Sequence, residues 1–162
     1  MARRITIVLI RNAEPNDVPL LKTMIEEMGS YERLPVTITE QELLADGFGE
    51  QPRFQVLLAL WNREPAGYAL FHDCYSSFQG KGTFLEDLYV CPDFRKKNIA
   101  TALLAAVANI AIKANSYALV FNVLAWNDKG LGFFKRAGAD ALTEWTTMNL
   151  TGNALHAAAQ HG

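Results

Sequence analysis

Residues 84–101 read FLEDLYVCPDFRKKNIAT, and few folds accommodate such a stretch. Residues 84–90 are apolar enough for a buried strand, Cys91-Pro92-Asp93 interrupt it, and an Ala- and Leu-rich segment opens after Arg95. A buried strand that turns directly into an apolar helix belongs to a sheet with helices packed on its faces. The same stretch carries charge that a plain core does not tolerate. Glu86 and Asp87 lie inside the apolar strand, and Arg95, Lys96 and Lys97 stand at the helix start. A helix N-terminus carries roughly half a positive charge and several unpaired N–H groups, so it seats a phosphate readily. A carboxylate pair on the strand before it is suited to proton transfer on a substrate held nearby.

The rest of the chain bounds what this element can serve. Its 162 residues suit one domain with a sizeable core. Half the residues are hydrophobic and 20% are charged, as in ordinary globular domains. A formal net charge of −2 gives no case for a nucleic-acid partner. Cys74 and Cys91 form no CxxC pair and the histidines do not cluster, so no metal site is expected. The two cysteines read as reduced thiols of a cytoplasmic protein. The apolar run at residues 5–10 is too short for a signal peptide and is ended by Arg11. No stretch reaches the ~18 apolar residues of a membrane span. The expected protein is soluble and cytoplasmic, with no membrane partner.

In chain order, residues 5–10 predict a first strand, and a turn over 12–17 leads into a helix capped by Asn16 or Asp17. Val18, Leu20, Leu21, Met24, Ile25 and Met28 recur at helical spacing, with Gly29 as the stop and a loop over 31–36. Thr39 and Glu42 form a capping box for a short helix over 39–45, broken at Asp46-Gly47. Strands are predicted over 54–61 and 67–78, with a hairpin at Gly80-Lys81-Gly82 into the strand at 84–90. A long helix over 99–113 follows, then a strand over 117–124, a helix from Asn127 through Arg136 stopped by Gly138, and a last strand over 141–150. The fold class is a mixed α/β sheet covered by helices, occupying residues 1–150. Residues 151–162 form a polar, Ala-rich tail, helical in part.

This order, with Ile10-Arg11-Asn12-Ala13, Tyr31-Glu32, the run from Leu43 to Glu50, Leu85-Glu86-Asp87, Asp93-Phe94-Arg95, Trp126-Asn127 and the run from Phe133 to Ala139, resembles the GNAT superfamily of acetyl-CoA-dependent N-acetyltransferases. Within it the motifs are similar to the diamine branch, whose members acetylate spermidine, spermine or thialysine. The resemblance implies a central, mostly antiparallel sheet with splayed parallel strands, acetyl-CoA as cosubstrate, no metal, and a homodimer. It implies a pyrophosphate loop at Arg95, Lys96, Lys97, Asn98, Ile99, Ala100 and Thr101. Asn98 stands where the family carries Gly; Asn is the other residue that tolerates the left-handed region. The resemblance also assigns the backbone of Leu88, Tyr89 and Val90 to the thioester and pantetheine, and Asn127 to the CoA arm.

The implied chemistry is transfer of an acetyl group to a primary amine of a small molecule: a polyamine, a diamine or an amino-acid-like amine. Glu86 matches the family's strand glutamate and is the candidate base. Asp87, Glu27, Tyr31 and Glu32 match acceptor-binding positions. In a regular strand Glu86 and Asp87 point to opposite faces, so both serve one pocket only across a bulge. Phe134 stands where the family commonly has a proton-donating Tyr; it can pack beside the cofactor but donates nothing, which leaves Tyr89 or a water as the donor. Ser76 and Phe78 replace the Asp and Trp of polyamine-type members. Asn98 and Phe134 keep open a non-catalytic acyl-CoA-binding or regulatory protein, and a protein N-acetyltransferase is the other alternative.

Overall fold

The structure is a computed structural model that describes residues 8–160. The chain divides into two compact units, with the break between Leu124 and Ala125. The first unit holds a five-stranded sheet in the order β1-β2-β3-β4-β5. Its strands are β1 (Val8–Asn12), β2 (Gln55–Trp61), β3 (Glu64–Ser76), β4 (Gly80–Val90) and β5 (Leu119–Phe121). Neighbours are antiparallel except β4 and β5, which run parallel. This is the mixed, mostly antiparallel sheet expected from the sequence. The first expected strand begins at residue 5, so its first three residues lie outside the described ones.

Alternation along β2 and β3 gives the sheet two apolar faces. Val56, Leu58, Tyr68, Leu70 and Tyr89 pack with Val18, Leu21, Met24 and Ile25 of α1 (Val18–Glu32) and Leu43 of α2 (Glu40–Phe48). The alternate residues Ala59, Ala69, Phe71 and Leu85 are also buried. α3 (Ile99–Lys113) packs on β1 to β4 and buries Ile99, Leu103, Val107 and Ala111, one residue per turn. Each fully buried Leu or Val contributes about 1.5–3 kcal/mol. Among the described residues no helix is long and apolar enough to cross a membrane.

Several boundaries differ from the sequence expectation. α1 does not stop at Gly29 but continues through Tyr31 and Glu32 to a left-handed Arg33 (φ 59°). Gly29 is there for close approach: a Cβ on it would lie 2.4 Å from Val36 Cγ2. Gly47 likewise sits inside α2, where a Cβ would meet the Phe54 ring at 2.6 Å. Asp17 does not cap α1 with its side chain; it accepts the Glu14 N–H at 2.7 Å and pairs with Arg11. The hairpin turn lies before Gly80, where Gln79 N–H donates to Ser76 O at 3.3 Å, and Gly82 is already in β4. β5 is shorter than predicted.

The second unit contains α4 (Asp128–Arg136) and α5 (Gly152–Ala159). The strand predicted over 141–150 does not form, and Leu142, Trp145, Met148 and Leu150 are exposed. A β-prone sequence becomes a strand only where it joins a ladder, and the sheet's order contains no strand from this stretch.

Candidate active site

The register of β4 sets the geometry of the site. Opposite β3, Asp87 pairs with Leu70 while Leu85 pairs with Phe71, so Glu86 is an extra residue, a β-bulge. The bulge turns Glu86 and Asp87 to the same face. Asp87 Oδ2 accepts a hydrogen bond from Tyr68 at 3.0 Å, and Glu86 Oε2 lies 3.6 Å from His72 Nε2. Tyr68 and His72 are four residues apart on β3 and share one side of it. The ladder with β5 covers only Thr83, Phe84 and Leu85, so β4 loses its parallel neighbour where the bulge begins. The backbone of Leu88, Tyr89 and Val90 lies beyond that point, paired to β3 on its other edge.

Asp87 is the most perturbed acid of the cluster. Burial raises it to about 6; the Tyr68 hydroxyl opposes the rise, and the charges of Glu86 and Glu32 add to it. Tyr68 is fully buried, and its hydroxyl also lies 3.7 Å from Met28 Sδ. Burial raises Glu32 as well. Two residues further along β4, Tyr89 donates to Glu27 Oε2 at 2.8 Å, and burial with that bond raises its hydroxyl. Glu27 and Glu32 of α1 thus face the Asp87–Tyr89 end of β4. Tyr89's proton is engaged by Glu27, which removes the side chain considered as a replacement donor.

The loop after β4 carries the features of an anion seat. Lys96 (φ 61°) and Asn98 (φ 59°) are both left-handed, as the Asn-for-Gly replacement requires. Such alternation curves a backbone into a concavity of N–H groups. The first intrahelical bond of α3 is Ala102 N–H to Asn98 O at 3.0 Å, which leaves the preceding amides at Ile99, Ala100 and Thr101 without helical acceptors. Two of the basic side chains have other contacts. Arg95 donates to Val90 O at 3.2 Å and lies 5.6 Å over the Tyr31 ring. Lys97 donates to Asp93 O at 2.8 Å and sits 5.3 Å and 5.1 Å from the Trp61 and Phe94 ring centres. The left-handed loop and open amides fit a pyrophosphate. The Arg95–Tyr31 contact joins this loop to the end of α1.

In the second unit Asn127 caps α4, its Oδ1 accepting the Gly130 N–H at 3.0 Å. The Phe134 ring meets Phe133 edge-on at 5.1 Å. Sequence reasoning missed Tyr68 and Met28, which surround Asp87. Tyr68 lies in the apolar run GYALF and reads as core, which it also is. Among the described residues no group of His, Cys, Asp and Glu is arranged to hold a metal ion.

The profile described as "Acetyltransferase (GNAT) family" matches residues 21–139. A thialysine N-epsilon-acetyltransferase from Sus scrofa is 36% identical over 161 residues, covering 91% of this chain and 95% of the relative. An L-ornithine N5-acetyltransferase from Arabidopsis thaliana is 28% identical, covering 91% of this chain and 86% of the relative. An aminoglycoside N-acetyltransferase solved in complex with CoA shares the fold, with a TM-score of 0.74 at 17% identity over 94% of this chain and 99% of its own. By this profile match and the similarity that runs along nearly its whole length, the chain belongs to the GNAT acetyltransferase family.

Proposed function

We propose that this protein moves the acetyl group of acetyl-CoA to the primary amine of a small, cationic acceptor: a diamine, polyamine or amino-acid-like amine of the diamine-acetyltransferase branch. The observation that carries the reading is the bulge at Glu86. It turns two carboxylates to one face at the point where β4 parts from β5. The named substrates of the two relatives above, thialysine and ornithine, are amino acids with a terminal primary amine, and both support an acceptor of that kind.

Acetyl-CoA supplies an acetyl group already activated as a thioester. The left-handed loop at Arg95 to Asn98 and the first amides of α3 hold its pyrophosphate. The unpaired edge of β4 at Leu88 to Val90 takes the thioester arm, and an N–H there polarises the carbonyl. Asp87, Glu32, Glu27 and Tyr31 hold the cationic acceptor. Its amine must first become neutral. From a pKa near 10.4, deprotonation at pH 7 costs about 4–5 kcal/mol, and Glu86 takes that proton. The sulfur departs as thiolate, which a thiol of pKa near 8.5 does more readily than an alcohol. The same reading makes residues 1–150 the catalytic domain of a cytoplasmic homodimer.

The test is acetyl-CoA-dependent thiol release with a panel of spermidine, diamines, thialysine, ornithine, lysine and small monoamines. Turnover with a diamine or amino-acid-like amine is the expected result. Silence across the panel overturns it. If acetyl-CoA then still raises the melting temperature, a CoA-binding regulator or a protein acceptor takes its place. If it does not, the Asn98 loop holds no CoA.

A further inference from the structure

His72 has no part in the reading above, yet it faces its central residue. The imidazole stacks on Phe84 with ring centres 5.2 Å apart. Its Nδ1 lies 3.0 Å from the Asp73 carbonyl oxygen, which can only accept, so Nδ1 carries a hydrogen. In a neutral ring that leaves Nε2 with a lone pair, and Nε2 points at Glu86 Oε2, 3.6 Å away. Two acceptors facing each other just beyond hydrogen-bond distance have room for one proton between them. The side chains are 34% and 55% exposed, so a proton taken up there has a way out to water.

We propose that His72 and Glu86 form a proton-accepting dyad in which His72, a positioning residue acting through Glu86, relays the amine's proton to solvent. The inference rests on Glu86 being the base. An N–H bond of the acceptor ammonium breaks and its proton goes to Glu86. The carboxylic acid hands the proton to Nε2, giving an imidazolium whose Nδ1–H stays on the Asp73 carbonyl. The imidazolium then releases it to water. The electron pair left on nitrogen forms the new N–C bond to the acetyl carbon, the C–S bond breaks with its electrons on sulfur, and the thiolate takes the second proton that the acetylated nitrogen sheds. A histidine binds a proton about two pH units more tightly than a glutamate does in isolation, so the relay brings the proton's destination nearer to the amine. The groups facing the pair are the Asp73 carbonyl and Phe84, then Asp87 beside Glu86, and through Asp87 the carboxylate of Glu32.

The test combines a pH–rate profile with ¹⁵N spectra of the imidazole. In the wild type the acid limb of kcat, read at saturating amine where the bound cation holds Asp87 ionised, reports a histidine. In His72→Gln, and in His72→Phe, which keeps the stack on Phe84, the limb moves down by about two pH units. With it, kcat at pH 7.5 falls by roughly tenfold, while the KM for acetyl-CoA stays put. An unmoved limb in both variants overturns the relay. At pH 8 the spectrum shows Nδ1 protonated and Nε2 bare; a ring protonated at Nε2 instead overturns it without any assay. Should no amine turn over, the proposed function has failed on its own account, and the ¹⁵N spectrum alone decides the dyad.

Discussion

Glu86→Gln lowers kcat for the acceptor amine by about 10²–10⁴-fold, the usual worth of a positioned general base, and changes the KM for acetyl-CoA by no more than about twofold. The substitution keeps the size of the side chain and removes only its proton affinity. Glu86 is half-exposed and faces His72 at 3.6 Å, so the fold does not depend on its charge. The residual rate carries a signature. Without a base, only acceptor that is already neutral in solution reacts, so log kcat/KM rises by about one for each pH unit up to the amine's own pKa near 10.4. Steady-state kinetics over pH 6–10 on both proteins check this. Equal rates and parallel profiles remove Glu86 from its role.

Asp87→Asn makes the protein more stable at neutral pH and less able to bind its acceptor. In the folded protein burial lifts Asp87 to about 6, against roughly 3.9 in the unfolded chain. A carboxyl raised on folding favours the native state while it is protonated. That contribution is fully present below about pH 4 and is lost as pH rises through about 6. Above that range the wild type carries a buried negative charge at a cost on the order of 3 kcal/mol. Asn keeps an oxygen for the Tyr68 hydroxyl and carries no charge. The variant therefore melts about 6–12 °C higher at pH 7.5, and the gap closes below pH 4. Melting curves across pH 3.5–8 test it; a variant that melts lower at every pH means the carboxylate is stabilising and the burial argument is wrong. The site keeps Asp87 at a cost in stability, as functional sites commonly do.

The sequence was most legible where local chemistry decides the structure. α3 occupies the predicted residues because an apolar, Ala-rich run is bounded by Asn98 and Lys113. Thr39 and Glu42 cap α2 as a capping box must. Asn98 takes the left-handed conformation because, among non-glycine residues, Asn pays little for it. What depended on distant partners was harder to read. Gly29 looked like a helix stop, but its small size serves Val36 across a loop. The β-rich run at 141–150 has the right composition for a strand and no ladder. The bulge was recognisable only as a condition for Glu86 and Asp87 to share a face. Its place became visible with the register against Leu70 and Phe71. Arg95 and Lys97 read as phosphate-loop residues through the family resemblance; the rings of Tyr31, Trp61 and Phe94 that they lie over are distant in sequence and carry no local signal.

The central claim is that an acetyl donor and a cationic amine meet at the Glu86 bulge of β4. The most direct measurement is the affinity of a conjugate in which a diamine is joined through an acetyl bridge to the sulfur of CoA, compared with that of CoA. If the two sites adjoin, binding one half makes the other intramolecular, and the conjugate binds about 10²-fold or more tightly than CoA. Asp87→Asn then removes most of that gain and leaves CoA's own affinity unchanged. Equal affinities for conjugate and CoA in the wild type would mean that no amine site lies beside the cofactor, and the account would be contradicted.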